Sequence, residues 1–258
     1  MKISIVIPCF NEEENILEFH NELKNHISTI DCNFEILFVN DGSEDKTEDK
    51  IISITNLDDN IKLISFSQNF GHQKALKAGI DKSTGDAVIT IDCDFQQPIS
   101  LIKEFVREWK EEKFLVVHGI KKENKRGFIY SSVIFLAYKI INLFNTHQID
   151  VNGSDFLLLD KKVVNEIKRL ENDNILIRSF VSFMDFRKKK IFYNLNERKH
   201  GKSKYTLSKF FNIFMLALLS DFYLVKKKSL VKRLINLLLN KKIDEKYIIT
   251  NTKNIYEK

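Results

Sequence analysis

Through the first half of the chain, short runs rich in Ile, Val, Leu and Phe alternate with segments whose apolar residues recur at helical spacing. The runs Ile3–Ile7, Phe34–Val39, Ile61–Phe66, Ala87–Ile91 and Phe114–Val117 read as buried strands. Between them, one segment carries Ile16, Phe19, Leu23 and Ile27, and another carries Leu101, Phe105, Val106 and Trp109, each set covering one face of a helix. Strand–helix alternation of this kind predicts an α/β fold built on a mostly parallel sheet with helices on both faces. In such a sheet, ligands bind beyond the carboxyl ends of the strands, so the residues that follow each strand are the first place to look for a site.

Those strand ends are unusually polar. They read Pro8-Cys9-Phe10-Asn11-Glu12, Asn40-Asp41-Gly42-Ser43, Ser67-Gln68-Asn69-Phe70-Gly71-His72-Gln73 and Asp92-Cys93-Asp94-Phe95-Gln96-Gln97-Pro98. The last is the sharpest. Two carboxylates and an amide at a strand end are hard oxygen ligands suited to Mg²⁺ or Mn²⁺, with phosphate oxygens completing the shell, although a D-x-D also caps helices. Asp41 in an Asp-Gly turn is either a turn residue or an acceptor for a nucleobase N–H. Glu12 sits where an acid offsets a helix dipole, and His72 reads as a satisfied structural histidine rather than a base.

Beyond residue 120 the pattern changes. Phe128–Phe144 and Leu207–Leu219 read as apolar helices, Asp155–Leu159 and Ile191–Leu195 as strands, and Lys161–Leu170 as a helix. The loop Arg198–Tyr205 gathers cations around Gly201 and Ser203, a composition suited to phosphate. Lys226–Lys242 mixes seven Lys/Arg with Leu, Val and Ile and contains no acid, and the tail from Asp244 to Lys258 reads as loose. This organisation predicts one domain over residues 1–222 and a basic amphipathic helical extension with a loose tail over 223–258. With 41 Lys and Arg against 35 Asp and Glu, the net charge of +6 admits a nucleic-acid, anionic-membrane or phosphorylated partner. Three cysteines without metal-ligand spacing argue against a disulfide framework and a zinc site and for a reducing compartment. No cleavable signal and no apolar run of spanning length is present, which predicts a cytoplasmic protein held at most peripherally on a membrane.

The segments SIVIPCFNEEENI, EILFVNDGSEDKT, SQNFGHQKALKAGIDKSTGDAVITIDCDFQQP, GSDFLLLDKKVV and RKHGKSKYTLSKF, in that order, resemble the inverting glycosyltransferase family 2 with its GT-A (Rossmann-like) fold. The resemblance covers roughly residues 1–222. Within the family it is to the polyprenyl-phosphate branch, typified by dolichyl-phosphate mannosyltransferase and bactoprenol glucosyltransferase. It implies that Pro8, Phe10, Glu12, Val39 and Asp41 cradle the nucleoside. Asp92, Cys93 and Asp94 would line the ribose and diphosphate, with Asp92, Asp94 and Gln96 as the ligand set for Mg²⁺ or Mn²⁺. Lys121, Arg126, Arg198, Ser203 and Lys204 would meet phosphates or the acceptor, and Asp155 falls in the acceptor-side segment. Two departures stand out: Asn40 where the family commonly has Asp, expected to be tolerated, and Gly119-Ile120-Lys121 where it has Gly-x-Arg. Many bacterial members continue into two transmembrane helices, and none is expected here.

The implied reaction moves a sugar, with inversion, from a nucleotide sugar (UDP-linked by family preference) to polyprenyl phosphate at an anionic membrane surface, with no nucleic acid involved. Asp94, Arg198 and Asp155 are the expected catalytic residues. A growing surface polysaccharide or other glycan is the alternative acceptor, and a non-catalytic membrane-surface module is the alternative of another class.

Overall fold

The computed structural model describes residues 1–122, 153–170, 176–197, 199 and 249–253. Eight strands form one sheet in the order β7-β5-β6-β4-β1-β2-β3-β8. In chain order the elements are β1 (Lys2–Cys9), α1 (Ile16–Ile27), β2 (Asn33–Asn40), α2 (Thr47–Thr55), β3 (Ile61–Phe66), α3 (His72–Lys82), β4 (Ala87–Thr90), α4 (Leu101–Lys110) and β5 (Val116–Lys121). They continue with β6 (Gly153–Asp160), α5 (Lys161–Lys168), α6 (Ile177–Phe183), β7 (Lys188–Tyr193) and β8 (Ile249–Lys253). The pairs β1–β2, β1–β4, β2–β3 and β5–β7 are parallel; β6 runs against both β4 and β5, and β8 runs against β3.

The period-2 pattern of each strand divides the core in two. Ile3, Ile5 and Ile7 face one side and pack with Phe19 and Leu23 of α1, Ile51 of α2, and Phe105 and Trp109 of α4. Val6, Leu37 and Val39 face the other, against Ala75, Leu76 and Ile80 of α3, Val163 and Val164 of α5, and Phe180 of α6. Helix α3 lies so close to the sheet that a Cβ at Gly79 would stand 2.3 Å from Val6 Cγ1. This brings the amino end of α3 over the carboxyl ends of β1 and β2, where the polar loops collect.

At the opposite end of the sheet, Glu35 is buried among donors. It accepts from Ser4 Oγ at 2.5 Å, Thr84 N at 2.7 Å, Thr84 Oγ1 at 2.8 Å and Lys62 Nζ at 2.8 Å, and pairs with Lys2 Nζ at 2.7 Å. Burial pushes its pKa up, but the lysines, the Ser4 hydroxyl and the Thr84 amide outweigh it and hold the carboxyl down at about 2.

The strands and helices expected within the described residues are all present, with shifted ends. β5 starts at Val116 rather than Phe114 and runs on to Lys121; β7 starts inside the lysine run, because Lys188–Lys190 pair through their backbone with Val116–His118. The tail is corrected more substantially. Residues 249–253, expected to be loose, form a strand on the open edge of β3, with Leu63 opposite Lys253 and Ile64 opposite Thr252. The exposed backbone groups of β3 are a template for any segment of strand-forming residues such as Ile249-Thr250. The expected helices at Phe128–Phe144, Leu207–Leu219 and Lys226–Lys242 lie outside the described residues.

Candidate active site

The loops after β1 and β2 are stitched into one floor. Asn11 adopts a left-handed conformation (φ 52°), which turns the chain sharply after Phe10. Its amide donates to Ser43 Oγ at 2.9 Å and its Oδ1 accepts from Glu44 N at 2.8 Å. Glu12 N donates to Thr47 Oγ1 at 2.8 Å, and Asp45 caps Thr47 while accepting from Glu13 N at 3.2 Å. The hydroxyls of the Asp-Gly-Ser-Glu-Asp-Lys-Thr stretch therefore hold the β1 loop, and each such bond contributes about 1 kcal/mol. Pro8 and Val39 lie on the strands beneath this floor, and Cys93 Sγ lies 3.9 Å from Pro8 O.

Asp41 organises the loop between β3 and α3. Its carboxylate accepts from Phe70 N at 2.8 Å, from Gly71 N at 3.1 and 3.0 Å, and from Asn69 Nδ2 at 3.1 Å. Four contacts occupy about all the lone-pair positions a carboxylate has. Burial, only partly offset by the amides of Phe70 and Gly71, pushes its pKa up to about 6. Gly42 must be glycine: its φ is +65°, and a Cβ there would stand 2.2 Å from the carbonyl carbon of Gln68.

The carboxylates gather at the end of β4. Asp92 is clamped at both ends of one glutamine: Gln97 Nε2 donates to Asp92 Oδ2 at 2.9 Å, and Gln97 Oε1 accepts from Asp92 N at 2.9 Å. Asp92 Oδ1 lies 2.8 Å from His72 Nε2. Asp94 is buried and accepts from Gln96 N at 3.1 Å. The next residue, Phe95, is also left-handed (φ 64°), a costly conformation for an aromatic residue; it is held by Phe19, in edge contact at 5.4 Å, and by Lys199 Nζ, 4.0 Å above the ring. Lys199 in turn pairs with Glu18 at 2.7 Å and Glu22 at 3.3 Å, so this part of the basic loop rests on α1.

Asp155 of β6 joins the same cluster. Its Oδ2 accepts from Gln73 Nε2 at 2.8 Å and lies 3.7 Å from His72 Nδ1 and 3.8 Å from Arg178. His72, expected to be structural, is satisfied by Asp92 yet stands in the site with its side chain 42% exposed. Burial works against its charge, but Asp92, Asp155 and Asp41 outweigh it and raise its pKa to about 9.

The structure therefore brings Phe10, Glu12, Asp41, Asp92, Cys93, Asp94, Gln96 and Asp155 to one edge of the sheet. Lys121 lies at the carboxyl end of β5. Arg126, Arg198, Ser203 and Lys204 lie outside the described residues. Among the described residues no three His, Cys, Asp or Glu side chains are grouped to hold a metal ion. Asp92 and Asp94 nonetheless offer the hard oxygens a divalent cation takes, provided a ligand's phosphates supply the remainder. Gln73, Gln97, Phe95 and Arg178 were not anticipated. Gln97 adjoins a residue already singled out, but Gln73 meets a partner 82 positions away, which no local pattern reveals.

An α/β sheet with carboxylates at the end of its fourth strand, beneath loops from the first three, defines a GT-A glycosyltransferase fold. Solved structures agree. Glucosyl-3-phosphoglycerate synthase from Mycobacterium tuberculosis, in complex with Mn²⁺ and uridine-diphosphate-glucose, superposes with a TM-score of 0.57 at 15% identity, over 86% of this chain and 79% of that one. The model of the family "Glycosyl transferase family 2" matches residues 4–168, and the chain belongs to that family. It is 36% identical over 216 residues to an uncharacterized glycosyltransferase of Bacillus subtilis (strain 168), YkcC, covering 83% of this chain and 67% of that protein. It is 35% identical over 213 residues to the bactoprenol glucosyl transferase of Shigella phage SfX, covering 83% of this chain and 70% of that protein. The chain thus spans about two thirds of the length of such relatives. No helix among the described residues is long and apolar enough to cross a membrane.

Proposed function

We propose that this chain is an inverting glycosyltransferase that moves a sugar from a nucleotide sugar to polyprenyl phosphate at a membrane surface. The observation that carries the reading is the placement of Asp92, in the loop after β4 that also holds Asp94, with Asp155 across His72 from it. Donor-side and acceptor-side carboxylates then meet at one point. The bactoprenol glucosyl transferases among the relatives support the lipid acceptor, and the Mn²⁺ bound with nucleotide sugar in the structural neighbour supports a divalent ion.

In the proposed reaction the acceptor oxygen attacks the anomeric carbon in line, the bond to the diphosphate breaks, and the nucleoside diphosphate leaves with the electron pair. Asp92, Asp94 and Gln96 would hold Mg²⁺ or Mn²⁺, which supplies charge to neutralise the leaving diphosphate. The floor built by Phe10, Glu12 and the Asn40–Ser43 turn, with Pro8, Val39 and Cys93 behind it, would take the nucleoside. Asp41 would contribute chiefly by shaping the Asn69–Gly71 loop. Lys121, Arg126, Arg198, Ser203 and Lys204 would meet phosphates. A lipid phosphate is already ionised near neutral pH and needs no strong base. A sugar hydroxyl does, and the buried Asp155 Oδ1, without a hydrogen-bond partner among the described residues, favours a glycan acceptor as the second reading.

Residues 1–222 would form the catalytic domain, and the basic amphipathic stretch Lys226–Lys242 within 223–258 would hold it peripherally on an anionic bilayer. The test is nucleoside diphosphate release from a panel of UDP- and GDP-sugars, with and without a polyprenyl phosphate. Release stimulated by the lipid and stopped by EDTA is expected. Release that only a glycan acceptor stimulates would replace this reading with the second.

A further inference from the structure

Gln73, in the first turn of α3, uses both ends of its side-chain amide. Nε2 donates to Asp155 Oδ2 at 2.8 Å, and Oε1 accepts from Ile177 N at 3.2 Å. These partners fix its orientation, since a flipped amide would aim N–H at N–H and oxygen at a carboxylate. The second bond reaches the first residue of α6, so Gln73 links three elements: α3, β6 and α6.

The consequence falls on Asp155. Among the described residues, the donors and cations near its carboxylate converge on Oδ2: Gln73 directly, with His72 and Arg178 at 3.7 and 3.8 Å. Oδ1 is buried and has no hydrogen-bond partner among the described residues. A buried acceptor in that condition is unfavourable until a donor reaches it, and such exceptions call for an explanation in terms of use.

We infer that Gln73 is a positioning residue, which grips Asp155 by Oδ2 so that Oδ1 is presented to the acceptor. The inference rests on the proposed placement of Asp155 on the acceptor side. The competing role is a fastener only, joining α3 to α6 through Ile177. The two roles use opposite ends of the same amide and are therefore separable.

Gln73→Glu keeps an acceptor for Ile177 N but turns a carboxylate toward Asp155, whereas Gln73→Met removes both bonds. Each is made alone and together with Asp155→Asn, and kcat, donor KM and UDP–Mn²⁺ binding by calorimetry are measured on the full chain. Both single variants are expected to lower kcat by about tenfold to a hundredfold, the scale for a misplaced group, with donor KM and UDP–Mn²⁺ binding within about twofold of wild type. In the Asp155→Asn background neither is expected to cost anything further. A Gln73→Glu protein with wild-type kcat, or losses that multiply in the Asp155→Asn background, would overturn the inference. If Gln73→Met does not fold, Gln73→Glu decides.

The same cycle is run on slow donor hydrolysis by water. Coupling in hydrolysis without any transfer to polyprenyl phosphate would retain the positioning role and reject the lipid acceptor. Lipid transfer without coupling would do the reverse.

Discussion

Asn40 and Glu48 are joined across the β2–α2 turn: Asn40 Nδ2 donates to Glu48 Oε2 at 3.0 Å, and the same amide reaches Ser65 Oγ at 3.2 Å. Asn40 Oδ1 meanwhile accepts from Ser43 N at 3.0 Å. An aspartate would keep the last bond, and the Ser65 hydroxyl could turn to donate to it, but the bond to Glu48 would be lost and replaced by two carboxylates face to face, since a carboxylate has no donor. The asparagine at this position is therefore fitted to its neighbours.

Asn40→Asp is accordingly expected to destabilise the protein, by about 1–3 kcal/mol, the cost of leaving a buried group badly partnered. The thermal or urea midpoint at neutral pH checks this. Asn40→Asp combined with Glu48→Gln, which restores a donor opposite the new carboxylate, is expected to recover most of the loss.

Glu35 gives a pH dependence with a defined sign. Its carboxyl is held at about 2 in the folded protein, below the ordinary value of about 4.3 that it regains on unfolding. A depressed carboxyl contributes stability that is complete above the unfolded value and is lost as pH falls toward about 2. The contribution is about 3 kcal/mol. Urea unfolding followed from pH 6 to pH 2.5 is expected to show stability falling below about pH 4.3, with a shallower fall in Glu35→Gln.

Removal of the divalent ion is expected to abolish transfer, because two carboxylates and a diphosphate repel one another without a counter-charge. Asp94→Ala is expected to lower kcat by about a hundredfold or more while leaving the circular dichroism spectrum unchanged. Full turnover in excess EDTA would remove the metal from the scheme.

Membrane attachment through Lys226–Lys242 is tested by charge, because truncation would also delete the strand Ile249–Lys253 and lay bare the edge of β3. Replacing Lys227, Lys228, Lys232 and Arg233 with glutamine is expected to abolish most sedimentation with anionic liposomes, each cation contributing about 1 kcal/mol. Equal sedimentation of this variant and the wild type would place the attachment elsewhere.

The parts legible in the sequence were those with a local signature. Runs such as Ile3–Ile7 and Phe34–Val39 announced the buried strands, and the spacing of Ile16, Phe19, Leu23 and Ile27 announced the face of α1 that is in fact buried. The candidate carboxylates were visible because strand ends concentrate at one edge of such a sheet. What escaped depends on pairing. Lys188–Lys190 carry no strand pattern in their side chains, and Ile249–Lys253 becomes a strand only because β3 offers an edge. Gln73 and Gln97 were passed over for a similar reason: an amide's role is set by what lies at its two ends, which spacing along the chain does not record.

The pairing of β8 with β3 also bears on how this protein comes into being. The parallel strands β1 to β4 leave the ribosome early, yet the outer edge of β3 is capped only when residues 249–253 arrive. Until then the nascent sheet carries a row of unpaired N–H and C=O groups, an invitation to strands of other molecules. Residues 249–253 thus act as a guard against aggregation, and any insertion or fusion that disturbs this strand is expected to lower the yield of soluble protein.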